Sequence, residues 1–219
     1  MPGLIAAASM VVKFAIPAAV HGSLEERYLW SLAGGIISEW IFVLAAFLIL
    51  RANRESFSDL GAWRLGNWTG WCLALGAAAL TITSNLRFLP RIGIPIYYAF
   101  APHGVHLVAA LATGITAGFC EEILFRGLLM NDFRRAGYGN AAQVILPGIS
   151  FGFSHLGYTV HGFLAGVGIM VPTAILGMIW GMAYLLGKRS LLPCMAAHFV
   201  NDATALSWIG FFMFKGTLG

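Results

Sequence analysis

Between Tyr28 and Leu50 the chain runs for 23 residues with a single charged side chain, Glu39. A helix of about 20 residues crosses the hydrocarbon core of a bilayer, about 30 Å thick, with its backbone hydrogen bonds closed internally. Such runs recur along the chain, and they restrict it to an all-α, polytopic transmembrane helical bundle. Composition agrees: 59% of the 219 residues are hydrophobic and 10% are charged, with a mean hydropathy of +0.80. Soluble domains are about 45–50% apolar and about 25% charged. The 27 glycines lie largely inside the apolar runs, where they let helices approach closely. Cys72, Cys120 and Cys194 also lie in apolar segments, without the spacing of a metal finger or a disulfide framework.

The runs predict about seven spans in a single integral-membrane domain over residues 1–219. Residues 4–20 lack the basic start of a signal peptide and read as a first span or interfacial helix. Spans follow at 28–50, 68–86, 104–133, 141–155, 163–186 and 191–214. Residues 51–67 form the most polar loop, flanked by Trp63, Trp68 and Trp71 in the manner of an interfacial aromatic belt. Pro90, Pro95 and Pro102 break helix between 87 and 103, leaving an interfacial connector. The loops after the second, fourth and sixth spans hold Arg51, Arg54, Arg64, Arg134, Arg135, Lys188 and Arg189. The other side holds Arg27, Arg87, Arg91 and Lys215, so the first set is expected in the cytoplasm, with the N-terminus. Glu39, mid-span, reads as a buried hydrogen-bonded carboxylate.

Residues 1–103 supply the N-terminal spans and connector. Residues 104–214 carry the ionisable groups that a span does not need for folding. Glu121 and Glu122 stand side by side in the 104–133 span, with Arg126 one turn on. Ionisable groups at bilayer depth are costly and are functional candidates by default. Glu122 and Arg126 are four apart and share a helix face, so they can pair. Glu121 is five from Arg126 and is left for other work. A carboxylate not neutralised locally, in apolar surroundings, suits a general base.

Two further clusters follow: Phe151-Gly-Phe-Ser-His155, and His198-Phe-Val-Asn201-Asp202. His198 shares a helix face with Asn201 and Asp202. At 1.5 Å per residue, Glu121 lies about 20 Å, His198 about 14 Å and His155 about 22 Å from the basic side of the membrane. Polar groups on three helices at similar depth are cheapest when they converge in one intramembrane polar cavity.

Glu-Glu-x-x-x-Arg, then Phe-x-x-x-His, then His-x-x-x-Asx in a hydrophobic chain resembles the CPBP family of CAAX-protease and bacteriocin-processing (Abi-type) intramembrane proteases. The resemblance covers residues 104–214. It implies a helical membrane fold and hydrolysis of a peptide bond in membrane-associated, including lipidated, protein substrates. Carried over by position, Glu121 is the general base on water, helped by His155. Glu122 and Arg126 hold the motif helix, Phe151 is a further supporting residue, and His198 and Asp202 take the oxyanion-stabilising positions. One departure stands out: well-known members carry Asn where this chain has Asp202. A carboxyl donates to an oxyanion only when protonated, so Asn201 is the alternative donor.

The expected partners are a membrane-associated protein or peptide substrate, the lipid bilayer and, as an option, a larger membrane complex; nothing suggests nucleic acid. The expected location is a bacterial cytoplasmic membrane. No cofactor is expected. Three alternatives stay open. The first is a zinc protease using His155, His198 and Glu121, with Cys194 able to join. The second is a serine protease using Ser150 in Gly148-Ile-Ser-Phe-Gly152, a motif that needs a strand–turn–helix elbow. The third is a non-catalytic assembly or immunity subunit.

Overall fold

Ser23 starts the first helix with a capping box. Its Oγ accepts from Glu26 N at 3.2 Å, while Glu26 Oε2 accepts from Ser23 N at 2.7 Å. The helix that follows, α1 (Leu24–Ala52), has Glu25 and Glu26 in its first turn and Arg51 in its last, both favourable to the helix dipole. Trp30, Leu44, Phe47 and Leu48 are exposed on it, as befits a lipid-facing surface. The computed structural model describes residues 21–92, 104–156 and 163–204.

Five more helices follow: α2 (Trp68–Phe88), α3 (Val105–Arg135), α4 (Asn140–Ser154), α5 (Phe163–Leu186) and α6 over residues 192–204. A short 3-10 turn, Leu89–Ile92, extends α2. No strand occurs among the described residues, so the all-α class holds.

Among the described residues three helices are long and apolar enough to cross a membrane: Glu25–Ala52, Val105–Arg135 and Gly166–Leu186. The count of about seven is therefore not reached there. The expected span at 4–20 lies outside the described residues, as does 191–214 beyond residue 204. The expected span at 68–86 is a helix of 21 residues, but Thr81, Thr83, Ser84 and Asn85 dilute its apolar character. The expected span at 141–155 is a helix of 15 residues, which at 1.5 Å per residue reaches about 22 Å. The connector beyond Ile92 and the expected loop over 157–162 also lie outside the described residues.

The chain divides into two compact units that interleave in sequence. The first holds residues 1–52, 78–121 and 198–219; the second holds 53–77 and 122–197. In the first unit α1 and α3 run parallel in fixed register. His106 Nε2 meets Glu25 Oε1 at 2.5 Å near the helix starts. Further along, Trp40 Nε1 donates to Thr116 Oγ1 at 3.2 Å, and its ring stacks on Phe119 at 5.8 Å. Glu39 is half-buried, with its Oε2 shut off from solvent.

In the second unit α4 and α5 pack with almost no side chain between them. A Cβ on Gly152 would lie 2.6 Å from Ala174 Cβ, and one on Gly148 would lie 2.5 Å from Met178 Cγ. Gly148 and Gly152 thus form a small-xxx-small contact face. Ser150 is exposed and donates to Leu146 O at 2.9 Å within its own helix. This stretch is helical packing, with no strand–turn–helix elbow, and the nucleophilic-serine alternative is dropped. Of the polar loop expected over 51–67, residues 51 and 52 end α1 and the rest is partly folded in: Leu60 and Ala62 are buried. Tyr184 OH donates to Leu60 O at 3.0 Å, and Leu191 N donates to Gly61 O at 3.0 Å.

Candidate active site

The motif helix changes form at the motif. After Glu122, α3 widens into a π segment, Ile123–Leu129, before resuming as α-helix at Met130. Met130 N reaches back five residues to Phe125 O, the π hydrogen bond. π turns are rare and occur often at functional sites. Here the wide turn carries Arg126 and Gly127, both buried.

Arg126 is 1% exposed and Glu122 0%. Their side chains meet at 3.0 Å. A second guanidinium nitrogen, Nη2, donates to Gly177 O at 3.2 Å. The guanidinium also lies over two rings, 4.5 Å from the Phe151 centroid and 5.5 Å from that of Trp180. A buried cation is tolerable only with this degree of neutralisation and hydrogen bonding. Phe151 ties the arrangement to His155. Its ring also meets Phe125 edge-on at 5.1 Å and the imidazole of His155 at 5.2 Å.

His155 follows the last residue of α4 and is half-buried. Its Nδ1 lies 2.9 Å from Phe151 O. A carbonyl oxygen only accepts, so Nδ1 carries the proton and Nε2 is the basic nitrogen of the neutral ring. Glu122, Arg126, Phe151 and His155 all belong to the second unit.

The first unit holds Glu121, His198, Asn201 and Asp202. α3 and α6 approach closely there. A Cβ on Gly114 would lie 3.0 Å from Phe199 O and 3.2 Å from Ala203 Cβ. That approach brings His198 Nε2 within 3.6 Å of Glu121 Oε2 and within 3.4 Å of Asp202 Oδ2. Asn201 Nδ2 donates to Asp202 Oδ1 at 3.0 Å. All three of His198, Asn201 and Asp202 are buried, whereas the Glu121 side chain keeps 16% of its surface exposed. Both oxygens of Asp202 face nitrogens, and the Asn201 amide is committed to it. The nitrogen nearest Glu121 is Nε2 of His198.

Among the described residues no group of three or more His, Cys, Asp or Glu is arranged to hold a metal ion. Cys194 is turned into the helix packing, its Sγ donating to Trp180 O at 3.4 Å.

Sequence reasoning did not find Gly177 and Trp180 as partners of Arg126. Trp180 carried a faint signal, an indole N–H inside an apolar span that needs an acceptor; it donates to Ala74 O at 3.2 Å.

Residues 103–204 match the family model described as type II CAAX prenyl endopeptidase Rce1-like. The matched segment contains all of the motif residues above. No curated protein and no solved structure matches the chain.

Proposed function

We propose that this integral membrane protein, whose residues 103–204 match the family model described as type II CAAX prenyl endopeptidase Rce1-like, hydrolyses a peptide bond in a membrane-associated protein substrate by activating water with Glu121. The observation that carries this reading is the placing of Glu121 Oε2 within 3.6 Å of His198 Nε2, at a side chain that remains partly open. Glu121 takes a proton from water, and the water oxygen bonds to the substrate carbonyl carbon. His198 Nε2–H donates to the oxyanion that forms. Asp202 Oδ2 lies 3.4 Å from the same nitrogen and gives up that contact when the oxyanion forms, while Asn201 steadies Asp202. When the C–N bond breaks, Glu121 passes its proton to the departing amine. The family pattern gives His155 the assisting role on water, through its basic Nε2. Glu122, Arg126 and Phe151 hold the motif helix and the His155 ring. No step in this sequence uses a metal ion.

The substrate class that the family description supports is a protein whose C-terminal Cys-a-a-X sequence carries a prenyl group on Cys. The test is direct. Purified protein in lipid vesicles receives a farnesylated Cys-a-a-X peptide, and the products are weighed by mass spectrometry. Two fragments from one backbone cut support the reading. An intact peptide, together with co-purification of the protein in a larger membrane assembly, contradicts it and favours a non-catalytic subunit.

A further inference from the structure

Asn201 is 9% exposed, and its Oδ1 is shut off from solvent with no hydrogen-bond partner among the described residues. The amide orientation is fixed by its neighbour. Asp202 Oδ1 only accepts when ionised, so Nδ2 must face it, as it does at 3.0 Å. Turning the amide over would set two acceptors against each other. The carbonyl end of Asn201 is therefore a buried acceptor awaiting a donor, and such groups are seldom left unmet. The neighbouring carboxylates, Glu121 and Asp202, both lie near His198 Nε2, at 3.6 and 3.4 Å.

The geometry points to Asn201 Oδ1 as the acceptor for a backbone N–H of the bound peptide, a substrate-positioning contact beside Glu121 and His198. The inference rests on the endopeptidase reading above. Its chemistry is specific. A cationic group would go to the carboxylates, whereas a neutral carbonyl oxygen suits a neutral N–H. A peptide drawn into apolar surroundings loses the water on its amides, and each N–H then needs an acceptor from the protein. One residue from Asp202, Asn201 is fixed by the catalytic cluster itself. A bond made there sets the peptide's register against Glu121.

The experiment uses the full-length protein in vesicles and a farnesylated Cys-a-a-X peptide. Each non-scissile backbone amide is replaced in turn by an ester, which removes one N–H without adding bulk. For the wild type, one replacement lowers kcat/KM by about tenfold or more, since a site built to receive an N–H rejects the analogue lacking it. In Asn201→Ala the parent peptide falls by a similar factor and the ester penalty at that position shrinks to within about twofold, the signature of a coupled pair. Asn201→Leu, branched alike and without an acceptor, is measured alongside in case the alanine variant folds poorly. A purely structural role for Asn201 would lower activity but leave the ester penalty intact, and that result overturns the inference. So does a wild type indifferent to every ester. A wild type that cleaves no parent peptide removes the endopeptidase reading itself, and this inference with it.

Discussion

His198 Nε2 stands 3.6 Å from Glu121 Oε2, although the two residues lie on different helices and 77 positions apart in the chain. The same nitrogen is 3.4 Å from Asp202 Oδ2 on its own helix. One imidazole is thus set between two carboxylates, in a protein with few ionisable groups inside its apolar helices. Of the two, Glu121 is the more open, which is the asymmetry a base acting on water requires.

In the proposed mechanism Asp202 acts as an acceptor, its Oδ2 3.4 Å from His198 Nε2. Asp202→Asn keeps the shape but places an amide where the carboxylate faces His198. Hydrogen bonds to charged groups contribute about 1.5–3 kcal/mol, so the rate should fall by roughly 10- to 10²-fold. The readout is kcat/KM on a cleavable prenylated peptide. Full activity in Asp202→Asn would mean that an amide serves there as well, and would return the oxyanion role to this position.

We assign Arg126 a structural role. It pairs with Glu122, donates to Gly177 O and lies over Phe151 and Trp180. Removing one partner of a buried pair costs about 3–5 kcal/mol. Arg126→Ala should lower the thermal unfolding midpoint in detergent along with activity. A variant as stable as the wild type would contradict the assignment.

The sequence showed the elements of this site better than their meetings. Spacing four apart was enough to pair Glu122 with Arg126, because one helix carries both. It could not show that Arg126 would also reach Gly177, 51 residues on, since that depends on how α3 and α5 pack. The π turn at Ile123–Leu129 had no signal either: one extra residue in a turn leaves an apolar run looking the same. The expected bounds of α2 and α4 match the helices closely, but membrane crossing there rests on marginal hydropathy in α2, with its Thr, Ser and Asn residues, and on only 15 residues in α4. The departure at Asp202 was visible in sequence. Its consequence was not, because the roles of Asn201 and Asp202 depend on which oxygen faces which nitrogen.

The Gly148-Ile-Ser-Phe-Gly152 stretch separates packing from chemistry. Ser150→Ala should leave cleavage within about twofold, as surface changes away from special features usually do little. Gly152→Ala forces a Cβ to within 2.6 Å of Ala174 Cβ and 2.7 Å of Met170 O. Overpacking of that kind costs about 1–3 kcal/mol, which should appear as a lower unfolding midpoint. A dead Ser150→Ala with a normal unfolding midpoint would revive the serine nucleophile.

The central claim is that Glu121 activates water. The direct measurement is the rate at which vesicle-reconstituted wild type and Glu121→Gln cleave a farnesylated Cys-a-a-X peptide, at matched amounts of protein with matched unfolding midpoints. Glutamine keeps the shape and cannot accept the proton, so the rate should fall by about 10²–10⁴, the usual cost of losing a general base. A folded Glu121→Gln protein that cleaves at the wild-type rate would contradict the account.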